Sequence, residues 1–320
     1  MAIYSNNKPN SEHFYEFMTF NLNNEITTNK ISKIDKVNTY SFTRNTSFCS
    51  IDSEYVCRIG GTIAGMNDAP NILWSYKTEK IYKIPVCNIR RSYNYTVYSK
   101  KRGLITVGGY NNFVNDIDSF EIIKPIKNKN NIISFENQKW KTVGMDRKAS
   151  NLTCTLVNND NALIMVGGFD RYYNSNCSIY NFDKNITKSI ANYPYSVGKC
   201  GIIEWKQYDS VVCVGGRSRS NCVCQYDMNR DQWFNLPSTK YRYDNHPNVS
   251  IQYDLPFIYS NSGIFVVMNS WQNNKTSQNM IEYYDPRDST NAWYALNVCS
   301  YYMKSNNNIP CPTALLCFPS

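Results

Sequence analysis

Histidine is nearly missing from this chain of 320 residues: His13 and His246 are the only two, and they lie far apart. Metal centres and acid–base sites that draw on several imidazoles are excluded by that shortage. No stretch approaches an apolar membrane span, and no apolar signal core opens the chain. These absences are read as a protein of the cytoplasm, or of the nucleus, that is not secreted and meets no membrane. The Asn-X-Ser/Thr triplets at Asn151, Asn185 and Asn248 are then chance products of an asparagine-rich chain. Also missing are a glycine-rich phosphate loop that runs into a helix, a Gly-X-Ser-X-Gly nucleophile turn and any convincing amphipathic helical period.

Twelve cysteines are present, but they do not form the dense pattern of a disulfide framework. They are scattered, and several stand inside apolar strand-like runs (Cys57, Cys154, Cys213, Cys317), where a free thiol behaves as a small apolar side chain. In Cys222-Val223-Cys224 one intervening residue puts both thiols on the same face of a strand. Zinc sites want wider spacing and two further ligands, so neither a metal nor another cofactor is expected.

What the chain does have is a repeat. Four short apolar runs each end in a glycine pair: Gly60-Gly61, Gly108-Gly109, Gly167-Gly168 and Gly215-Gly216. The pairs are 48, 59 and 48 residues apart and take up eight of the 14 glycines. Around each pair lie stretches of four to seven residues rich in Val, Ile, Tyr, Phe and Trp, bounded by Asn, Asp, Gly, Ser or Pro. That is a strand-and-turn signature, and a strand-rich unit repeated about every 50 residues is the sign of a radial β array. The fourth unit is the clearest, with Val223 to Asp227, a polar turn, and Gln232 to Pro237 after its glycines, which makes four strands. A fifth unit is degraded: Met268-Asn269 replaces the glycine pair, and Tyr283-Tyr284-Asp285 leads to Trp293. In the second unit, Lys124 to Asn131 reads as a long, solvated basic loop before Trp140.

An apolar strand ending in Gly-Gly, followed by Tyr-Asp and then Trp, resembles the kelch-repeat family of β-propellers. The best match is Gly215-Gly216, Tyr226-Asp227 and Trp233, then Gly167-Gly168 with Tyr180; the likeness spans roughly Cys49 to Leu296. It implies an all-β fold, one kelch-type propeller domain over 1–320, with four-stranded blades around 41–80, 89–143, 149–193, 197–237 and 248–297. A sixth blade is expected from 1–32 together with 310–320, the C-terminal strand pairing into the N-terminal blade to close the ring; a piece of a longer protein is the competing account. The 26 tyrosines suit packing between tilted sheets, where the ring buries and the hydroxyl finds a partner.

In such a fold the loops that follow each glycine pair emerge on one face. The residues expected there as partner-binding are Tyr110, Asn112, Phe169, Arg171, Tyr172, Arg217, Arg219 and Trp271, joined by Arg91 and Arg147 at the blade starts. Arg, Tyr and Trp dominate interface hot spots. An arginine-lined face favours carboxylates or phosphates, so the expected activity is non-enzymatic: a scaffold that binds a partner protein or peptide, acidic or phosphorylated.

The resemblance adds actin and ubiquitin-ligase machinery as partner classes, although strands begin too near Met1 to leave room for a BTB or F-box module. It also brings two enzyme classes. Copper radical oxidases need histidine ligands that this chain lacks. A sugar-acting enzyme such as a mutarotase, with its site in a central channel, stays open as the alternative. The net charge of +9 gives nucleic acid only salt-sensitive contact, so it is not an expected partner.

Overall fold

The computed structural model describes residues 2–5, 15–18, 45–51, 54–62, 69–75, 78, 80–127, 133–243, 247–255, 258–273, 276–296 and 312–315. For 2–5, 15–18, 127, 248–281, 296 and 312–315 it describes the backbone alone. The described residues are all-β, built of four-stranded antiparallel sheets, with one 3-10 turn at Lys206–Tyr208 and no α-helix. Two compact units divide the chain: Val37–Gly198 with Phe318–Ser320, and Lys199–Cys317 with Met1–Lys36.

The first unit holds three four-stranded sheets, each in simple up-and-down order. Sheet I is Ser47–Ser50, Tyr55–Ile59, Ile72–Ser75 and Lys80–Lys83. Sheet II is Tyr95–Ser99, Gly103–Val107, Ser119–Ile123 and Lys141–Gly144. Sheet III is Thr153–Val157, Ala162–Val166, Cys177–Asn181 and Ile186–Ile190.

The other unit holds sheet IV, made of Gly201–Trp205, Ser210–Val214, Val223–Asp227 and Gln232–Leu236. It also holds sheet V, made of Asn248–Leu255, Ile258–Asn273, Thr276–Tyr284 and Trp293–Leu296. A three-stranded sheet completes it, with Ala2–Ser5 in the middle, antiparallel to both Tyr15–Met18 and Pro312–Leu315. The expected fourth strand of that sheet, Glu25 to Ile31, lies outside the described residues.

In sheets I to IV burial falls from the second strand to the fourth. Every residue of Tyr55–Ile59, Gly103–Val107, Ala162–Val166 and Ser210–Val214 is buried, whereas the fourth strands of sheets I to IV are largely exposed. A strand covered on both faces is apolar at successive positions, as Ala162–Val166 is; the exceptions are buried polar groups such as Thr106 and Arg58, whose Nη2 donates to the Pro70 carbonyl at 3.0 Å. Neighbouring sheets stack face to face. Cys57, Ile59 and Leu73 of sheet I share a core with Leu104 and Ile123 of sheet II. Ile105 and Phe120 of sheet II pack with Leu163, Met165 and Tyr180 of sheet III. Val212 and Val214 of sheet IV meet Tyr284 and Trp293 of sheet V.

The tyrosine of the third strand holds the outer turn. The hydroxyls of Tyr180, Tyr226 and Tyr284 donate to the side chains of Asn185, Asp231 and Asn291, and each acceptor sits in the left-handed region, at φ 55, 52 and 47. Asn and Asp tolerate that conformation better than most residues. Tyr226→Phe removes a bond of 2.6 Å and is expected to lower stability by about 1 kcal/mol in a urea titration. An unchanged midpoint would mean that the turn keeps its shape without it.

Two expectations are corrected. In the run Lys124 to Asn131, Ile126–Lys127 is strand, paired antiparallel with Ile133–Ser134, while Lys124 and Ile126 are exposed and residues 128–131 lie outside the described residues; Ile133 and Phe135, just past the run, enter the core between sheets I and II. At Met268-Asn269 there is no corner. With no glycine pair there to break it, Ile258–Asn273 runs straight on as a 16-residue strand, and its part from Phe265 to Asn273 pairs with Thr276–Tyr284.

Candidate partner-binding surface

Each glycine pair does two jobs. The first glycine donates its N–H to the start of the third strand of its own sheet: Gly108 to the Ser119 carbonyl, Gly167 to that of Asn176, Gly215 to that of Cys222, and Gly60 to the Asn71 side chain. The second glycine donates to a carbonyl in the segment that follows the sheet: Gly61 to Arg91, Gly109 to Ala149, Gly168 to Val197 and Gly216 to Tyr243, at 2.6–2.9 Å. That carbonyl also presses on the first glycine, where an added Cβ would lie 2.2–2.5 Å from it. No side chain fits in such a gap, and both glycines of each pair have positive φ.

The chain leaves the corner through small hairpins in sheets II and III. Tyr110–Asn111 pairs with Asn115–Asp116, and Phe169–Asp170 with Tyr172–Tyr173. Each hairpin is sewn to the lead-in segment of its own sheet, because Ser92 and Tyr110 exchange backbone bonds, as do Ser150 and Phe169. The buried Asn111 fixes the first hairpin: its Nδ2 donates to the Arg90 carbonyl at 2.6 Å, and its Oδ1 accepts from the Phe113 N–H at 2.9 Å. One residue further along the lead-ins, Asn45, Tyr93 and Asn151 are all left-handed, and the Tyr93 N–H donates to Asn45 and that of Asn151 to Tyr93, both at 2.8 Å.

Of the residues named from sequence in this unit, Asn112, Arg171 and Tyr172 are exposed, and Tyr110 and Phe169 are half-buried. The Phe169 and Tyr173 rings pack edge to face at 5.2 Å, which stiffens the second hairpin. Nothing in the sequence marks Phe113, yet it is the most open large apolar side chain among the described residues, 93% exposed, with Val114 beside it and Tyr172 at 80%.

Arg91 is corrected. It points inward, fully buried, with Nη2 paired to Glu121, Nη1 donating to the carbonyls of Gly108 and Ser119, and Nε to that of Ile89. Glu121 in turn accepts the backbone N–H groups of Asn88 and Ile89. This arginine is a fastener between a lead-in and its sheet and is not available to a partner. Sheet V repeats the arrangement with different chemistry: Glu282 accepts from the N–H groups of Lys240 and Tyr241 and from the Tyr243 hydroxyl. Burial, then the Glu282 carboxylate, push the Tyr243 phenol above its usual range, so it stays a donor.

Arg147 is half-buried and donates to Asn174 Oδ1 at 3.1 Å, and burial lowers its pKa. Asp116 ends the return strand of the first hairpin and Asp170 the first strand of the second, and the charge of Asp170 is felt at Asp116. Burial, then the Asp170 charge, raise Asp116, against a lowering by its hydrogen bond with Ser150 and by Lys148.

In the other unit, Arg217 and Arg219 are exposed just past Gly216, with the left-handed Ser218 between them at φ 77. Beside Arg217 stands Lys199, itself left-handed at φ 59, brought down to about 8 by burial and then by the charge of Arg217. Trp271 lies in the long second strand of sheet V opposite Gln278, and its side chain lies outside the described residues. Among the described residues no cluster of His, Cys, Asp and Glu could hold a metal, and no helix is long and apolar enough to cross a membrane.

Compared with known proteins, the chain matches no family model and no curated protein.

Proposed function

We propose that the chain is a kelch-type β-propeller of six blades that binds a partner protein with the loops beyond its glycine pairs. The repeated glycine fastening, the face-to-face stacking of neighbouring sheets within each unit and the pairing of Ala2–Ser5 with Pro312–Leu315 support the architecture. The observation that carries the binding reading is the pair of rigid hairpins holding Phe113 and Tyr172 almost wholly in water. Burying such rings on a partner is worth several kcal/mol. The exposed Arg171, Arg217 and Arg219 give that partner an acidic or phosphorylated segment.

Two double variants test this by capture from native lysate, one with Phe113→Asp and Tyr172→Asp, the other with Arg217→Glu and Arg219→Glu. Both are expected to fold and to lose the same partner, each by at least about tenfold, the weight of one hot-spot residue. Loss in only one variant would break the idea of a single face. Equal capture by both variants and the wild type would end the binding proposal and turn the search to Asp116 and Asp170.

A further inference from the structure

Cysteine pairs stand directly opposite each other in two sheets, a feature no part of the binding reading uses. In sheet I, Cys49 of the first strand faces Cys57 of the second. In sheet IV, Cys213 faces Cys224. The Ile51 N–H donates to the Tyr55 carbonyl at 2.9 Å, and antiparallel pairs alternate, so two residues on Cys49 and Cys57 fall at the wider, hydrogen-bonded spacing of about 5.5 Å between Cα atoms. That lies inside the range of roughly 4.4–6.8 Å that a disulfide spans. Both side chains belong to the same core, Cys57 within it and Cys49 packed against it, and the Cys49 thiol donates to the Ser50 carbonyl at 3.3 Å.

Access separates the two pairs. Cys49 is half-buried, so one thiol of the first pair can be reached. Cys213 and Cys224 are both 0% exposed, and Cys224 Sγ is 3.4 Å from Asn235 Oδ1.

We propose that Cys49 and Cys57 close a reversible disulfide across the first hairpin of sheet I, with a low-molecular-weight disulfide as the oxidant. The Cys49 thiolate attacks one sulfur of that disulfide; the new S–S bond forms as the old one breaks, and the leaving thiolate takes up a proton. Cys57 then loses its proton and attacks the Cys49 sulfur, expelling the second small thiol. Two protein thiols are oxidised and one disulfide is reduced to two thiols, so electrons and protons balance. Burial, and then contact with Cys49, hold the Cys57 thiol well above its usual range. The second step is therefore the slow one and accelerates as pH rises. A bond forced on a hydrogen-bonded strand pair is strained, which makes it easy to reduce again.

The full-length protein is incubated with oxidised glutathione, quenched with acid, alkylated under denaturing conditions and mapped by mass spectrometry. The expected result is a glutathione adduct on Cys49 that converts to a Cys49–Cys57 crosslink and disappears with dithiothreitol, while Cys213 and Cys224 stay alkylatable. Cys57→Ser should stop the reaction at the Cys49 adduct. Should that buried change prevent folding, Cys49→Ser, at the half-buried position, should leave Cys57 unmodified. A Cys49 that stays reduced, or equal crosslinking of Cys213 with Cys224, would overturn the proposal.

Discussion

Gly167→Ala is expected to destabilise the fold by about 3–5 kcal/mol, at the extreme end of single substitutions. Two penalties add. The backbone at Gly167 has φ +59, which costs a residue with a Cβ roughly 1–2 kcal/mol. The new methyl would also lie 2.2 Å from the Val197 carbonyl oxygen and 3.0 Å from its carbon, both backbone atoms. Neither can swing aside as a side-chain tip can, and the neighbouring Gly168 N–H holds that carbonyl in place at 2.8 Å. Gly144→Ala is the matched control. Nothing lies within 4 Å of a Cβ there, and the residue ends a strand, so alanine should be neutral or stabilise by about 0.5–1 kcal/mol. Urea midpoints for the two variants decide the matter. A Gly167→Ala protein within about 1 kcal/mol of wild type would mean that the lead-in carbonyl is not fixed as described.

Glu121→Ala is expected to cost about 3–5 kcal/mol, the loss seen when one partner of a buried ion pair is removed. The alanine strands three groups at once: the Arg91 guanidinium and the N–H groups of Asn88 and Ile89. Arg91→Ala alone leaves the Glu121 carboxylate with its two backbone donors, so it should cost less. In the double variant no unpaired charge remains, and its loss should fall short of the sum by about 1–3 kcal/mol. Urea unfolding of the two single variants and the double variant closes the cycle. Strict additivity would show that the two charges act independently, contrary to their contact in the core.

The parts of the fold legible in the sequence are those where one residue type alone meets a local demand. Glycine is required where a carbonyl closes on the chain at positive φ, so Gly60, Gly108, Gly167 and Gly215 mark the strand ends. Strands covered on both faces are mostly apolar, so Ala162–Val166 and the stretch Val211 to Val214 stand out. Arg91 was hidden for the opposite reason. Beside Arg90 it looks like a charged surface run, and its partner lies 30 residues away on a strand. Phe113 carries no local mark either, since its exposure follows from a hairpin that Asn111 pins from both sides. The Cys49–Cys57 pairing depends on register, which appears only once both strands are placed.

The spacing of the glycine pairs, 59 residues from Gly108 to Gly167 against 48 on either side, has an architectural meaning. The surplus emerges around Ile126–Lys127 and Ile133–Ser134, between the third and fourth strands of sheet II, where Ile123 faces Leu104 at the end remote from Gly108. Length varies at that outer turn because no carbonyl from a following segment must arrive there in register. At the corner itself one added residue would unseat both glycine bonds. For an engineer, the outer turns are thus the natural ports for a tag or a grafted loop, and the corners are closed to insertion.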